Sequence, residues 1–217
     1  MPVGIIILLS LMLWWFSRAT LHWSSPLEYA RYLINQRNYH KAVEVLDRFG
    51  YLDDKLWVSA LAFTKEGNYI KAMENFLRAK DLDNAYYLMQ YCPSSTEADN
   101  LKGELFTRLG EYNRALASYH NSRNLIGISK VLAASGDDTR AVRVMAQYYL
   151  ETKNPMAAIE QYKKILDYDR AALVFYHYQR YEEAAELFEK SNNYDMMEKC
   201  RKRMGRRRNT PRKLKQI

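Results

Sequence analysis

The sequence predicts an all-α protein, a solenoid of repeated helix–turn–helix elements. Three observations predict it: small and large residues recur at helical spacing, strand-like alternation bounded by turns is missing, and helix-start signals mark several segments. Only eight Gly and five Pro interrupt the 217 residues. Because each helix pair of a solenoid buries its apolar stripe only against its neighbours, several related repeats are needed to form a core.

The small/large pattern is clearest in KEGNYIKAMENFLRAKD, residues 65–81. Ala72 and Phe76 lie four residues apart and therefore on one face of a helix, and Gly67 precedes that helix in a turn. The small residue lets a neighbouring helix approach closely, and the large residue fills the space beside it. The spacing recurs in five further segments, which begin at Tyr39, Tyr112, Asp138, Pro155 and Tyr181.

A second pair of positions precedes each turn. The turn residues stand at positions 37, 67, 110, 136, 153 and 179. Seven and four residues before them stand a small and a large side chain, in the pairs Ala30 and Leu33, Ala60 and Phe63, Gly103 and Phe106, Ser129 and Leu132, Ala146 and Tyr149, and Ala172 and Phe175. Six recurrences of one arrangement predict six related repeats.

These positions resemble the tetratricopeptide repeat (TPR), a helix–turn–helix element of about 34 residues with a small/large signature. The resemblance covers roughly residues 26–191. It implies a right-handed TPR-like α-solenoid of antiparallel helix pairs over residues 26–198. The spacing of the turn positions is uneven, so the period drifts, as in the degenerate solenoids of coat and intraflagellar-transport proteins. The longest interval, from position 67 to position 110, holds an extra helical stretch at residues 81–92, and the shortest makes the helix near 138–151 part of two repeats.

Helix starts are marked by capping residues. Ser25 followed by Pro26 and Glu28 is typical of a capping box with proline at the first helical position. Ser94 with Glu97, and Asn154 before Pro155, predict two more helix starts by the same signals.

Residues 1–23 are predicted to be a single N-terminal transmembrane helix, with residues 3–16 as its apolar core. A helix from Met1 to Phe16 spans about 24 Å, a little short of the roughly 30 Å hydrocarbon layer. Arg18 follows the apolar run, and the positive-inside rule then places the N-terminus outside and the repeats in the cytoplasm. Two alternatives stay open: a cleaved signal, which would make the protein secreted or periplasmic, and a helix buried in a partner or lying in the membrane interface.

Residues 199–217 form a basic C-terminal tail. It carries ten Lys or Arg and no Asp or Glu, while the rest of the chain has 23 basic and 25 acidic residues. A solvated disordered tail, contact with anionic lipid head groups and contact with nucleic acid, ribosomal RNA included, are all compatible with this composition. The candidate contacts are Arg201, Lys202, Arg203, Arg206, Arg207, Arg208, Arg212, Lys213 and Lys215.

No catalytic or metal-binding pattern is evident in the sequence. The four His are far apart, Cys92 and Cys200 are too few for a disulfide framework, and no phosphate-binding glycine loop is present. We therefore expect no enzyme activity, no cofactor, no metal and no small-molecule substrate. The tyrosines at packing positions are predicted to lie in the core, namely Tyr39, Tyr69, Tyr112, Tyr119 and Tyr162.

The resemblance also implies a partner-binding groove lined by the first helices of successive repeats. The residues that would face it are Arg31, Asn35, Trp57, Lys65, Asn100, Glu104, Arg108, Tyr176 and His177. Trp57 is expected to be either a hot-spot anchor for a partner peptide or helix, or a local packing residue. The carboxylate clamp of TPR chaperone receptors is not matched, because Leu27, Trp57 and Leu61 stand at comparable positions.

Two function classes follow from this layout. The first is a membrane-held interaction scaffold or assembly adaptor, and the second is a structural accessory subunit of a large membrane complex. A third hypothesis is an RNA- or ribosome-binding protein that acts through the tail. The expected partners are other proteins and the membrane through residues 3–16, and the tail is a candidate contact for anionic lipid or RNA.

Overall fold

The computed structural model describes residues 25–209, with side chains through residue 205. Within this range the chain is entirely helical and contains no strand. The first six helices are α1 (Pro26–Asn35), α2 (Tyr39–Arg48), α3 (Leu52–Lys65), α4 (Tyr69–Arg78), α5 (Leu82–Met89) and α6 (Thr96–Arg108). They are followed by α7 (Tyr112–Asn121), α8 (Leu125–Ala134), α9 (Asp138–Glu151), α10 (Pro155–Lys164), α11 (Tyr168–His177), α12 (Tyr181–Lys190) and α13 (Tyr194–Asn209).

The chain divides into two compact units whose boundary lies within α6, and we name them the N-terminal unit (Met1–Leu101) and the C-terminal unit (Lys102–Ile217). In the described part of the N-terminal unit, each helix from α1 to α5 packs against the next one in sequence. In the C-terminal unit the same holds from α7 to α13. Within the described residues, this repeat-like array of consecutively packed helices confirms the all-α class that the sequence predicts and is consistent with a helical solenoid.

Each unit has its own apolar core. In the N-terminal unit a cluster around α1–α3 consists of Ala30, Leu33, Ala42, Leu46 and Val58. In the C-terminal unit a larger cluster around α9–α13 includes Ala158, Tyr162, Ala172, Phe175, Ala184 and Phe188. Alanine alternates with large side chains in both clusters, which is the small/large pattern of the sequence seen as packing.

The turns between the described helices share one backbone conformation, except for the connection from α5 to α6. All six predicted turn positions have a positive φ: Arg37, Gly67, Gly110, Gly136, Lys153 and Gln179. The sequence pattern missed five further residues in this left-handed conformation, namely Gly50, Lys80, Arg123, Leu166 and Asn192. Every turn of this kind therefore ends a helix, whether it falls within a repeat or between two repeats.

One hydrogen-bond pattern explains these turns. At Arg37, the amide of the next residue, Asn38, donates to the Leu33 carbonyl at 2.9 Å, and the Arg37 amide donates to the Ile34 carbonyl at 2.8 Å. This is a Schellman motif, which satisfies carbonyls at the helix end. The same two bonds recur at the other ten left-handed residues, and the residue after each one is the N-cap of the next helix. We call this pair of residues a helix joint.

The helix joints set the spacing of the helices. Successive left-handed residues are separated by either a short interval, as from Arg37 to Gly50, or a long interval, as from Gly50 to Gly67. The exception is the interval from Lys80 to Gly110, which contains α5, Pro93 and α6. The drifting period of the sequence is therefore a combination of two step lengths that differ by about one helical turn.

Large side chains of the pattern pack against small residues of neighbouring helices. Tyr119 on α7 is only 8% exposed, and its ring lies against Gly103 on α6 and Gly127 on α8. A Cβ atom added to Gly103 would lie 2.7 Å from the ring, and one added to Gly127 would lie 2.5 Å from it. Ala72 and Ala115, which the pattern places at helix contacts, are both fully buried.

Two predictions about individual residues are wrong. The cap of α6 is Ser95 rather than Ser94, because the Ala98 amide donates to the Ser95 hydroxyl at 3.1 Å. Tyr39, Tyr69 and Tyr112 are half-buried rather than core residues. The predicted caps at Ser25 and Asn154 are confirmed, with amide-to-side-chain distances of 3.2 Å from Glu28 and 3.2 Å from Ala157.

The predicted membrane anchor, residues 1–23, lies outside the described residues. Among the helices that the structure describes, none is both long enough and apolar enough to cross a bilayer.

Candidate interaction surfaces

The predicted groove residues of the N-terminal unit have different environments. Arg31 and Asn35 are exposed on α1, and Asn100 is half-buried on α6. Lys65 is exposed at the end of α3, where its Nζ atom lies 5.7 Å from the centre of the Tyr39 ring. Lys65 also lines a shallow cleft. The other residues that line this cleft are residues 36–40, Ala62 and Glu66.

Trp57 contacts neighbouring helices of its own unit. Its indole N–H donates to Asp81 Oδ2 at 2.9 Å, and its ring lies edge-on to Phe76 at 6.5 Å. Asp81 is also the N-cap of α5, since its Oδ1 accepts from the Asn84 amide at 3.1 Å. Trp57 therefore connects α3 to the start of α5, two helices further along the chain.

The contact with Trp57 also affects the pKa of Asp81. Burial of the carboxyl acts to raise its pKa, but the hydrogen bonds from Asn84 and Trp57 outweigh burial and hold the pKa of Asp81 below its usual value. A similar bridge occurs in the C-terminal unit, where Arg143 on α9 donates to Asp167 Oδ2 at 3.2 Å and Asp167 caps α11.

The predicted groove residues of the C-terminal unit fall into two places. Glu104 and Arg108 form an ion pair one turn apart on α6. Tyr176 and His177 lie at the end of α11, with ring centres 6.3 Å apart, and Tyr176 also meets Tyr181 at 5.4 Å. His177 is exposed, and Tyr176 packs against the core of its unit.

The structure brings together an aromatic group that the sequence analysis assigned to no site. The ring of Tyr91 lies 5.4 Å from that of Tyr69 and 5.5 Å from that of Tyr87. The hydroxyls of Tyr87 and Tyr91 are 3.1 Å apart and share a hydrogen bond. We call these three residues the tyrosine surface, because Tyr87 is 58% and Tyr91 46% exposed. A run of tyrosines in residues 86–91 was the only available sequence signal for it.

The phenol of Tyr91, which contacts both other rings of the tyrosine surface, is uncharged at physiological pH. The hydrogen bond with Tyr87, with smaller contributions from neighbouring phenols, raises the pKa of Tyr91 above its usual value near 10.0. Asp83 stands one helical turn before Tyr87 on α5 and is exposed. The Asp83 carboxylate and the open ring of Tyr87 therefore lie on the same side of this helix, and the Tyr91 ring, which follows the end of the helix, contacts Tyr87.

The basic tail begins as part of a packed helix. Cys200 on α13 is fully buried, and Met196 and Met197 pack against the same core. Burial raises the pKa of the Cys200 thiol. Residues 199–209 are thus helical rather than a disordered tail, because the apolar residues of α13 attach its first half to α12.

The described tail residues present positive charge to solvent. Lys199, Arg201, Lys202 and Arg203 are all exposed, and Lys202 pairs with Glu198 at 2.8 Å. Arg206, Arg207 and Arg208 lie on the last turns of α13. The predicted contacts Arg212, Lys213 and Lys215 lie outside the described residues.

No group of three or more His, Cys, Asp or Glu within the described residues is arranged to hold a metal ion. The chain matches no protein-family model, and no curated protein is similar to it in sequence.

Proposed function

We propose that the protein is a non-enzymatic interaction scaffold or assembly adaptor of the TPR-like solenoid class. The observation that carries the proposal is the repeat-like array of short, consecutively packed helices. In such arrays each helix contacts mainly its neighbours and leaves an outer face for partners. Arg31, Asn35, Lys65 and His177 lie on such exposed faces.

The proposal includes attachment to a membrane through residues 3–16, with the repeats on the cytoplasmic side. The apolar composition of this segment and Arg18 behind it support the attachment. A structural accessory subunit of a large membrane complex is the alternative, in which the same segment packs against other membrane helices.

Purification of the full-length protein from its native membranes in mild detergent tests these ideas. A scaffold should be recovered with partners that exchange, and a structural subunit should be recovered in one complex of fixed stoichiometry. Recovery of the full chain from the soluble fraction after carbonate washing would contradict membrane attachment. A variant with Leu8→Arg and Leu9→Arg is the control, since it should no longer attach to the membrane but should keep the helical fold.

We propose as a second function the binding of RNA or anionic lipid by the basic end of the chain. The observation that favours it is the group of four exposed basic residues on α13, Lys199, Arg201, Lys202 and Arg203. Contacts with phosphate groups of this kind depend strongly on salt.

A charge-removal variant tests this second function without disturbing the core. Changing Lys199, Lys202 and Arg203 to Gln keeps Cys200 in place, whereas deletion from residue 199 would remove it. Binding of single-stranded RNA, or of vesicles containing anionic lipid, should fall for the variant and should fall for the native chain as salt rises. Equal binding by both proteins would show that this end of α13 is only a solvated surface.

A further inference from the structure

We infer that the tyrosine surface binds a cationic segment of a partner protein, one that presents Arg or Lys side chains to the open rings. The inference rests on the proposed scaffold function and names the partner chemistry for one of its surfaces. It is carried by the ring geometry of Tyr69, Tyr87 and Tyr91, by their exposure, and by the carboxylate of Asp83.

The rings are already held in place before a partner arrives. Tyr91 contacts both Tyr69 and Tyr87, with ring centres 5.4 Å and 5.5 Å away. The shared hydroxyl hydrogen bond at 3.1 Å fixes Tyr87 relative to Tyr91. Aromatic side chains with few rotatable bonds lose little conformational entropy on binding, and Tyr is enriched at binding hot spots for this reason.

The chemistry of the open rings favours a positively charged partner. The face of an aromatic ring carries negative electrostatic potential and attracts ammonium and guanidinium groups. This chain covers several of its other rings in that way. Lys71 lies 5.5 Å from the centre of the Phe63 ring, Arg114 lies 4.0 Å from that of Phe106, and Arg180 lies 4.8 Å from that of Phe175. Within the described residues, no Lys or Arg covers Tyr87 or Tyr91 in this way.

Asp83 gives the surface its charge preference. It precedes Tyr87 by four residues on α5, which places the two side chains about 5–6 Å apart at their Cβ atoms. Asp83 is exposed and forms no ion pair within the described residues. A guanidinium group stacked on Tyr87 can therefore meet the Asp83 carboxylate at the same time. An acidic segment is disfavoured by this carboxylate, and a proline-rich segment gains nothing from it.

A peptide titration tests the inference on the full-length protein. The probes are fluorescein-labelled peptides of equal length: four Arg-Gly repeats, four Glu-Gly repeats and eight prolines. We expect saturable binding of the Arg-Gly peptide that is weaker at high salt, and little binding of the other two. In nuclear magnetic resonance spectra, the Arg-Gly peptide should shift the ring signals of Tyr69, Tyr87 and Tyr91.

Variants assign the binding to the surface. The double variant Tyr87→Ala with Tyr91→Ala should weaken binding of the Arg-Gly peptide about tenfold or more, and Asp83→Asn about threefold. The double variant Tyr87→Phe with Tyr91→Phe keeps both rings and should bind nearly as well as the native protein. Matched controls are Tyr178→Ala, which removes a ring that is 52% exposed on the C-terminal unit, and Asp53→Asn, which removes an exposed carboxylate of α3. Both controls should leave binding unchanged.

Three results would overturn the inference: tighter binding of the proline peptide than of the Arg-Gly peptide, equal binding by the double alanine variant, or an equal loss in the two controls. Circular dichroism of each variant establishes that the helices remain folded. The titration concerns this surface alone. If the Arg-Gly peptide does not bind but partners are still recovered from native membranes, this inference is wrong and the scaffold function is retained. If the native protein is recovered with no partner, the scaffold function itself is contradicted.

Discussion

Tyr119 and Tyr91 carry the same side chain, but one is buried and the other is exposed to solvent. Tyr119 is 8% exposed and lies between two glycines, while Tyr91 is 46% exposed and lies against two other tyrosines. The surroundings differ in the backbone as well. Tyr119 stands four residues before the helix joint at Arg123, whereas Tyr91 belongs to the interval between Lys80 and Gly110 that has no left-handed residue.

The difference shows what buries a large side chain in this fold. A regular helix joint places the residue four positions before it against the neighbouring helices, and small residues there make room for the ring. Where the joint is replaced by the segment around Pro93, the ring stays at the surface and becomes available to a partner. Irregularity in the helix spacing and the candidate binding surface thus occur in the same part of the N-terminal unit.

The largest expected effect is the contrast between the two tyrosines themselves. Tyr119→Ala should lower the free energy of unfolding by about 3–5 kcal/mol, because it leaves a cavity between α6, α7 and α8. Tyr91→Ala should lower it by less than about 1 kcal/mol, because nearly half of the residue is already exposed in the folded protein. Urea unfolding followed by circular dichroism measures both values. Similar losses for the two variants would break the comparison.

The second effect tests the space around the buried ring. Gly127→Ala should destabilise the protein by about 1–3 kcal/mol, because its new Cβ would lie 2.5 Å from the Tyr119 ring. Gly205→Ala on α13 is the matched control, since a Cβ there meets nothing within 4 Å. The control should be neutral or stabilise by up to about 1 kcal/mol through better helix propensity. If Gly127→Ala stabilises the protein as well, Tyr119 is not closely confined.

A smaller effect concerns the helix joints. Leu166 has a left-handed φ of 57° and is 70% exposed, so Leu166→Gly should relieve backbone strain and stabilise the protein by about 0.5–1 kcal/mol. Leu173→Gly, at an exposed position inside α11, should instead destabilise it by about 1 kcal/mol. Thermal unfolding of the two variants separates these signs, and a loss of stability in both would show that Leu166 is not strained.

The smallest effect concerns the contact that connects α3 to α5, the helix that carries Tyr87. Because the pKa of Asp81 is lowered in the folded protein, its carboxylate stabilises the fold above the unfolded-state pKa, and this contribution is lost as pH falls through the folded-state pKa. Asp81→Asn should therefore lower the melting temperature at pH 7, and the difference from the native protein should shrink as pH falls below about 3.8. A difference that stays constant down to pH 2 would argue against this linkage.

The sequence predicted much of this fold because its signals are local. Turn positions such as Gly67 and Lys153 follow from the small/large spacing, and the caps at Ser25 and Asn154 follow from residue type. The left-handed turns at Arg123 and Leu166 could not be predicted in the same way, since a large residue, Leu116 or Ile159, stands seven positions before them where the pattern has a small one.

The candidate surfaces depend on longer-range facts. Whether a tyrosine is buried depends on the residue that faces it from another helix, and Gly127 lies outside the repeated pattern. For this reason the pattern treated Tyr69 and Tyr119 alike, and only the structure separates them. Charge dominated the interpretation of the tail, so the apolar contacts of Met197 and Cys200 that extend α13 into it were missed.

The helix joint also restricts how this protein can change its length during evolution. Since the residue after each left-handed position already caps the next helix, the connection has no spare residue in which an insertion could be absorbed. Adding one or two residues would rotate every following side chain away from its partner, whereas adding four residues to a helix advances it by about one turn and returns the same side to the core. The helices of 10 and 14 residues, such as α4 and α9, differ by that amount. Natural length variants of this chain should therefore gain or lose residues in blocks of four or of one whole short interval, and insertions of other sizes should gather around Pro93.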